Sequence, residues 1–174
     1  MIDPTKLPGV ALVDTGVLIR ALGQRPDDNR APMCVAFWNE MLRQGNLLLI
    51  AAPTVTEVMR NIDYPPLPVP SLPNVIVVAF DHGVAIELAK KFPEQVLRAQ
   101  NSQNLPIDYM RYDALILACA LKYDAVLVTM DVDLVALAKK GGVKSARVED
   151  YAGKQIPMQF PPQPIPPSDP PGKE

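Results

Sequence analysis

The sequence is poor in cysteine, histidine and long apolar stretches, and each shortage excludes a class of protein. Its 174 residues include Cys 2 and His 1, so neither a disulfide-stapled scaffold nor a zinc site of Cys and His ligands is expected. No stretch approaches the roughly 18 uncharged apolar residues that a membrane span needs. The N-terminal residues also lack the apolar core of a signal peptide. We therefore expect a reduced, cytoplasmic protein that is not held in a membrane.

An excess of basic charge is missing as well. The chain has 17 basic and 19 acidic residues and a formal net charge of −2, so it is not a polybasic module that binds nucleic acid by charge alone. A phosphate-bearing partner would have to be met by a local patch or through a metal. The length suits one domain, and the contents of 48% hydrophobic and 21% charged residues exclude collagen-like, coiled-coil and wholly disordered chains.

Proline, in contrast, is abundant, and its 20 residues are concentrated in segments 65–73 and 157–171. Proline removes backbone donors and favours extended conformations. We interpret 65–73 as a stiff loop, 1–155 as the folded domain and 156–174 as a proline-rich C-terminal tail. The tail could be a docking peptide, an arm across a partner subunit or a solvated extension.

Short apolar runs alternate with helical patterns along the domain. Continuous apolar runs are typical of strands covered on both faces. The runs predict strands at 10–13, 47–50, 75–78, 125–128 and 144–148. Helices are predicted from 32 to about 44, from 54, and over 83–91, 113–123 and 133–140. This alternation predicts an α/β fold, a three-layer α/β/α domain with a central parallel sheet of about five strands.

Acidic residues follow these strands where ligands bind in open parallel sheets, outside the carboxyl ends. Asp14 follows the first strand, and Asp131 and Asp133 follow the fourth. Glu57 falls in the first turn of the helix after the second strand, and Asp113 stands at the start of its helix. These elements could direct carboxylates from four parts of the chain into one cleft.

Each acid also has a purely structural interpretation. Asp14 could simply end a strand, Asp113 could cap its helix, and Asp131 or Asp133 could cap the next one. Glu57 fits a capping box with Thr54. Acids that only cap helices could lie anywhere on the protein, however, whereas the α/β topology brings all of these acids to one edge of the sheet. The shared cleft is therefore the favoured interpretation.

Carboxylates crowded into one small site repel one another, and a divalent cation removes that conflict. Oxygen ligands with retained waters suit Mg²⁺ or Mn²⁺. The single His82 stands alone in a strand-to-helix turn, where a polar turn residue is the simpler interpretation. A carboxylate site of this kind activates water and neutralises phosphate oxygens for in-line displacement, best with two ions.

Four motifs, taken in order and spacing, resemble those of PIN-domain (PilT N-terminus) nucleases. They are Val-Asp14-Thr15-Gly-Val-Leu, Thr-x-x-Glu57, Asp113-Ala-Leu-Ile-Leu-Ala-Cys-Ala-Leu and Leu-Val-Thr129-Met-Asp131-Val-Asp133-Leu. The similarity covers about residues 9–150. It implies a sheet order of 3-2-1-4-5 and a homodimer. Relatives of this size include the VapC-type toxins of toxin–antitoxin pairs, which are Mg²⁺-dependent endoribonucleases.

The resemblance also implies roles for single residues. The catalytic, metal-binding carboxylates would be Asp14, Glu57, Asp113 and Asp131. Asp133 would be an auxiliary metal-binding acid, and Thr15 and Thr129 would orient the ligands by hydrogen bonds. The implied cofactor is one or two Mg²⁺ or Mn²⁺ ions, and the implied partners are an RNA substrate and a protein antitoxin.

Basic residues must line the approach, because an acidic cleft repels RNA. Candidates for RNA contact are Arg20, Arg25, Arg60 and Arg111, with Arg30 close behind in the chain. All of them could equally be solvated surface charges. A narrow acidic floor favours single-stranded or looped RNA, since a lone backbone with splayed bases can reach it.

Other classes of protein explain the acids less well. A receiver domain needs paired acids after its first strand, and a dehalogenase-type phosphatase needs Asp-x-Asp there, whereas Gly16 occupies that position here. The remaining alternative is a non-catalytic PIN-fold binding or scaffold protein that acts through protein contacts.

Overall fold

The computed structural model describes residues 6–23, 25, 27–61, 72–100 and 107–151. The predicted C-terminal tail, 156–174, and most of the predicted loop at 65–73 lie outside these residues. Within the described ranges, no helix is long and apolar enough to cross a membrane.

A parallel sheet forms the centre of the domain. Its strands are β1 (Val10–Val13), β2 (Leu47–Ala51), β3 (Val75–Val78), β4 (Val126–Thr129) and β5 (Ser145–Arg147). They pair in the order β3-β2-β1-β4-β5. The predicted α/β class, three-layer architecture and 3-2-1-4-5 order are confirmed.

Helices cover both faces of this sheet. They are α1 (Thr15–Ala21), α2 (Ala31–Arg43), α3 (Ala52–Asn61), α4 (His82–Lys91), α5 (Glu94–Gln100), α6 (Ile107–Lys122), α7 (Val132–Gly141) and α8 (Val148–Tyr151). The short helices α1, α5 and α8 were not predicted. They contain seven, seven and four residues, which is too few for a helical hydrophobic period to appear in the sequence.

The central strand is buried on both faces because alternate side chains enter two different cores. Leu12 packs with α4, α6 and α7 residues such as Leu117. Val13 packs on the other side with α1 and α2 residues such as Leu18 and Phe37. The strand therefore reads as an unbroken apolar run.

Two helices, α3 and α6, begin at least two residues earlier than the sequence suggested, and both shifts concern candidate site residues. Helix α6 starts at Ile107, so Asp113 lies in its second turn and the N-cap interpretation of Asp113 is wrong. The helical core pattern continues backward through Met110, which is buried. The apolar spacing therefore outweighed the apparent capping signal at Asp113.

Helix α3 follows β2 without a loop, starting at Ala52 with Pro53 in its first turn. Thr54 is thus inside the helix rather than at its cap, and Glu57 is in the second turn rather than the first. The Thr54 hydroxyl is buried without a hydrogen-bond partner among the described residues. The capping-box interpretation is therefore wrong, and the Glu57 side chain has no capping role with Thr54.

The two cysteines are free and buried, as the sequence suggested. Cys34 lies in the core on the α2 side and Cys119 in the core on the α6 side. Burial raises the pKa of each thiol to about 11. Neither is a reactive thiolate at neutral pH.

The contact between α7 and the end of α4 requires glycine at position 141. A Cβ on Gly141 would lie 2.2 Å from Cζ of Phe92, a distance that forces the buried ring to move. We expect Gly141→Ala to lower the free energy of unfolding by about 1–3 kcal/mol, measured by urea denaturation. Gly9→Ala, where a Cβ meets nothing within 4 Å, is the matched control. If Gly141→Ala proves as stable as this control, the close packing of Phe92 on α7 is refuted.

Candidate metal and active site

A cleft of about 440 Å³ opens at the carboxyl edge of the sheet. It lies where β1 and β4 end, next to the second turns of α3 and α6. The residues lining it are Asp14, Thr15, Gly16, Arg20, Arg30, Glu57, Asp113, Ile116, Met130, Asp131, Val132 and Leu134. The acids Asp14, Glu57, Asp113 and Asp131 thus come together from four separate parts of the chain.

Asp14 is held at the end of the central strand by two donors. Its Oδ1 accepts a hydrogen bond of 2.7 Å from the Val17 amide, which makes it the N-cap of α1. Its Oδ2 accepts one from the Thr129 hydroxyl. The side chain is buried, and this burial raises the pKa of Asp14 to about 6 despite both donors. The Asp131 charge raises the pKa further, and the Arg20 charge lowers it.

Thr129 connects the ends of β1 and β4. Besides donating to Asp14, its Oγ1 accepts a hydrogen bond of 2.9 Å from the Asp131 amide. The hydroxyl is fully buried, so it has a fixed donor and a fixed acceptor. These two hydrogen bonds fix the Thr129 hydroxyl against the Asp14 carboxylate.

Asp131 is both a helix cap and a cleft residue. Its Oδ1 accepts hydrogen bonds from the amides of Asp133 and Leu134, at 2.8 and 3.2 Å, and so caps α7. Its Oδ2 receives no hydrogen bond from the described residues. The capping interpretation is confirmed for Asp131, and it leaves one oxygen of that carboxylate available to the cleft.

Glu57 is oriented by the first residue of α1. The Thr15 hydroxyl donates a hydrogen bond of 2.6 Å to Oε2 of Glu57. Two helices that are far apart in the sequence are thereby joined at the cleft. Thr15 thus donates a hydrogen bond to the Glu57 carboxylate, as Thr129 does to the Asp14 carboxylate.

Asp113 differs from the other acids because no described residue donates a hydrogen bond to it. Burial and, after it, the negative charges of Asp131, Asp14, Glu57 and Asp133 together raise its pKa to about 7. All the candidate acids therefore act on Asp113. Asp133 contributes by charge from just outside the residues that line the cleft.

The carboxylates of the cleft fit a hard divalent cation, although they do not complete its coordination by themselves. Among the described residues, no three acidic, histidine or cysteine side chains lie close enough together to hold one ion by themselves. Mg²⁺ usually retains several waters and is bound through one or two carboxylates together with substrate phosphates. An open cleft with carboxylates on several walls suits that mode, and a bound cation would offset the repulsion felt by Asp113.

The candidate arginines are divided between the cleft and the outer surface. Arg20 lines the cleft, and so does Arg30. Arg25, Arg60 and Arg111 are exposed and lie outside the lining. Arg60 donates a hydrogen bond of 3.3 Å to the Tyr112 hydroxyl, and Arg111 pairs with Asp108 and Glu94.

Sequence reasoning missed Asp28, which binds both cleft arginines, and the apolar wall formed by Ile116, Met130 and Leu134. No pattern separates Asp28 from its neighbour Asp27 in the sequence. The apolar wall lies within patterns that were assigned to strand and helix cores. His82 is the exposed first residue of α4 and does not line the cleft.

Comparison with known proteins agrees with the fold. The chain matches the PIN domain family over residues 11–140, and it belongs to that family. PIN domains are generally nucleases.

Solved structures show the same architecture at low sequence identity. FitAB bound to an IR36 DNA fragment is 16% identical with a TM-score of 0.55, over 79% of this chain and 94% of that one. FitAcB from Neisseria gonorrhoeae is 19% identical with a TM-score of 0.55, over 80% and 98%. VapBC2 from Rickettsia felis, bound to a promoter DNA fragment, is 16% identical with a TM-score of 0.51, over 79% and 97%. No curated protein sequence matches the chain.

The raised pKa of Asp113 has a consequence for stability. In the unfolded chain this carboxyl loses its proton near pH 4, whereas in the folded protein it does so near pH 7. The folded state therefore holds the extra proton between these values. Its stability falls as the pH rises through about 4 to 7 and stays low above that window.

We expect Asp113→Asn to remove this loss. At about pH 7.5, without metal, the variant should be more stable than the wild type, on the order of 2 kcal/mol, with the difference vanishing near pH 4. Urea denaturation across this pH range measures it. Asp108→Asn, at an exposed acid on the same helix, is the matched control. A stability difference that is constant with pH would contradict the raised pKa of Asp113.

Proposed function

We propose that the protein is a metal-dependent endoribonuclease that hydrolyses phosphodiester bonds of single-stranded or structured RNA with one or two Mg²⁺ or Mn²⁺ ions. The observation that carries the proposal is the environment of Asp113. A carboxylate without a hydrogen-bond donor is placed in a cleft where several other acids repel its charge. Such a site needs a cation to keep its acids ionised at neutral pH.

The proposed metal ligands are Asp14, Glu57, Asp113 and Asp131, with Asp133 as an auxiliary acid. One or two of the carboxylates of Asp14, Asp113 and Asp131 would hold one ion together with waters and substrate oxygens, and a second ion would bind nearer Glu57. Divalent metal in such a site supplies an activated water and neutralises phosphate oxygens during in-line displacement.

The chain's own contribution is to hold these carboxylates in place. Thr129 and the Val17 amide fix the two oxygens of Asp14. Thr15 fixes Glu57, and the cap of α7 fixes Asp131. Hydrogen bonds of this kind orient metal ligands and raise the affinity for the ion, and losing one typically costs about 10–100-fold in affinity or activity.

The charges that line the cleft support one substrate class. The lining combines acids with the side chains of Arg20 and Arg30, and a single backbone with splayed bases can reach such a site more readily than a duplex. We propose single-stranded or looped RNA as the substrate, and the cytoplasm as its place of action.

Protein partners are proposed from the family. The similar FitAB and VapBC2 structures contain DNA fragments, and VapC-type relatives are toxins with protein antitoxins. We therefore propose that this chain is the toxin of a type II pair and forms a homodimer. The competing function is a non-catalytic PIN-fold scaffold. It draws support from the lack of a three-acid metal cluster within the described residues.

Cleavage and metal binding can be tested together with Asp113→Asn. We expect this variant to lose Mg²⁺-dependent cleavage of a labelled single-stranded RNA, because it lacks a proposed metal ligand. It should remain folded, because no described residue donates a hydrogen bond to the Asp113 carboxylate. Mn²⁺ should raise the melting temperature of the wild type and have little effect on the variant. Asp108→Asn, on the same helix and far more exposed, should cleave normally.

The outcomes separate the two functions. Undiminished cleavage by Asp113→Asn refutes the site assignment. A wild type that neither cleaves RNA nor gains stability from Mn²⁺ favours the scaffold.

A further inference from the structure

Two arginines converge on a single aspartate at one wall of the cleft. Arg20 extends from α1, and Arg30 immediately precedes α2. Asp28 lies between them in the chain and binds both side chains. Arg20 and Arg30 line the cleft together with the carboxylates described above.

Arg20 is the more tightly held of the two. Its Nε and Nη2 donate to Oδ2 of Asp28 at 2.8 and 2.5 Å, and its Nη1 donates to the Gly16 carbonyl at 2.9 Å. Its side chain is 14% exposed. These bonds use three of the five N–H groups of the guanidinium. One donor on Nη1 and one on Nη2 bond to no described residue.

Arg30 completes the pair from the more exposed side. Its backbone amide donates to Oδ1 of Asp28 at 2.9 Å, and its guanidinium makes longer contacts of 3.3 and 3.4 Å with the same carboxylate. Its side chain is 45% exposed. Nη1 donates to no described residue. Asp28 thus brings two positive charges together that would otherwise repel each other.

Gly16 keeps the space between these cations and the acids open. A Cβ at position 16 would lie 3.5 Å from Nη1 of Arg20 and 3.6 Å from Oδ1 of Asp14. The gap between a guanidinium and a candidate metal ligand is therefore left without a side chain. An oxygen of a ligand that is bound at the acids could enter it.

Asp28 also keeps the arginines away from the cleft acids. A mobile arginine beside a cluster of carboxylates would pair with them and occupy the cleft. Here, within the described ranges, both guanidinium groups form their ion pairs with Asp28 rather than with Asp14, Asp113 or Asp131. Neither guanidinium is engaged by these acids in an ion pair, so both the arginines and the acids remain available to a ligand that carries anionic oxygens and binds beside a metal.

We propose that Arg20 and Arg30, held by Asp28, form a phosphate-binding subsite for an RNA phosphodiester that adjoins the bond to be cut. Arg20 binds the phosphate with its two remaining donors, Arg30 adds a second guanidinium, and Asp28 is a positioning residue. The subsite rests on the proposed nuclease function and adds a fixed point of contact for the substrate backbone.

The role of Asp28 can be tested because two explanations predict opposite effects. Replacing an acid with a neutral residue ordinarily tightens RNA binding, since it removes repulsion. If Asp28 positions two phosphate-binding arginines, Asp28→Ala weakens binding instead. Asp27→Ala is the matched control, because it removes the same charge from the adjacent exposed position.

Binding should be measured by fluorescence anisotropy with a labelled single-stranded oligoribonucleotide, without divalent metal, in protein that also carries Asp113→Asn. These conditions prevent cleavage and make the result independent of metal loading. We expect Asp28→Ala to weaken binding about tenfold and Asp27→Ala to leave it equal or slightly tighter. The slope of log affinity against log salt should fall by about 0.7 for each phosphate that the variant no longer neutralises.

Further variants exclude a merely structural role for Asp28. Arg30→Gln alters an exposed side chain and should weaken binding, and Arg20→Lys should do so because it keeps the charge but loses the planar fork. Melting curves identify any variant that does not fold. Should Asp28→Ala bind as tightly as Asp27→Ala, or should folded Arg30→Gln retain full affinity, the subsite is refuted. Cleavage by wild-type protein, assayed separately with Mg²⁺, reports on the nuclease proposal itself.

Discussion

Mutual repulsion among carboxylates is the constraint on which the rest of this structure depends. The carboxyl ends of parallel strands share one edge, so acids that follow different strands or lie on adjoining helices are forced together there. Asp113 shows the result most directly, because burial and its neighbours raise its pKa to about 7. The hydrogen bonds, helix caps and arginines around the cleft stabilise carboxylate charges that burial and mutual repulsion disfavour.

The register of the sheet explains how that crowding is kept in order. Val13 of β1 pairs with Val128 of β4, so the next residues of both strands, Asp14 and Thr129, emerge side by side. The Asp14 amide bonds to the Val128 carbonyl at 3.3 Å, and the Thr129 hydroxyl bonds to the Asp14 carboxylate. A slip of one residue would turn these side chains to opposite faces. The apolar packing of both strands therefore also fixes the geometry of the site.

Sequence reasoning recovered the strands, their order through the family resemblance, and the acids that share the cleft. It did so because strands that are buried on both faces appear in the sequence as continuous apolar runs. In addition, the parallel topology of an α/β sheet places the carboxyl ends of the strands at one edge. It failed where local signals conflicted with tertiary packing. Thr54 and Glu57 matched a capping box, yet α3 begins directly after β2. Asp113 resembled a cap, yet the core continues back to Met110. Asp28 could not be found, since its role depends on two side chains that meet only in the folded chain.

Because the cleft is assembled from distant parts of the chain, it can form only late in the synthesis of the protein. Its acids come from α3, α6 and the ends of β1 and β4, and the last of them to line the cleft is Asp131. A nascent chain emerges from the ribosome N-terminus first and folds as a unit once enough of it is free. A ribosome-bound fragment that stops short of β4 lacks the strand beside Asp14 and the hydroxyl that orients it. Such a fragment has no assembled cleft, so the proposed RNA cleavage could begin only after β4 and Asp131 have left the ribosome.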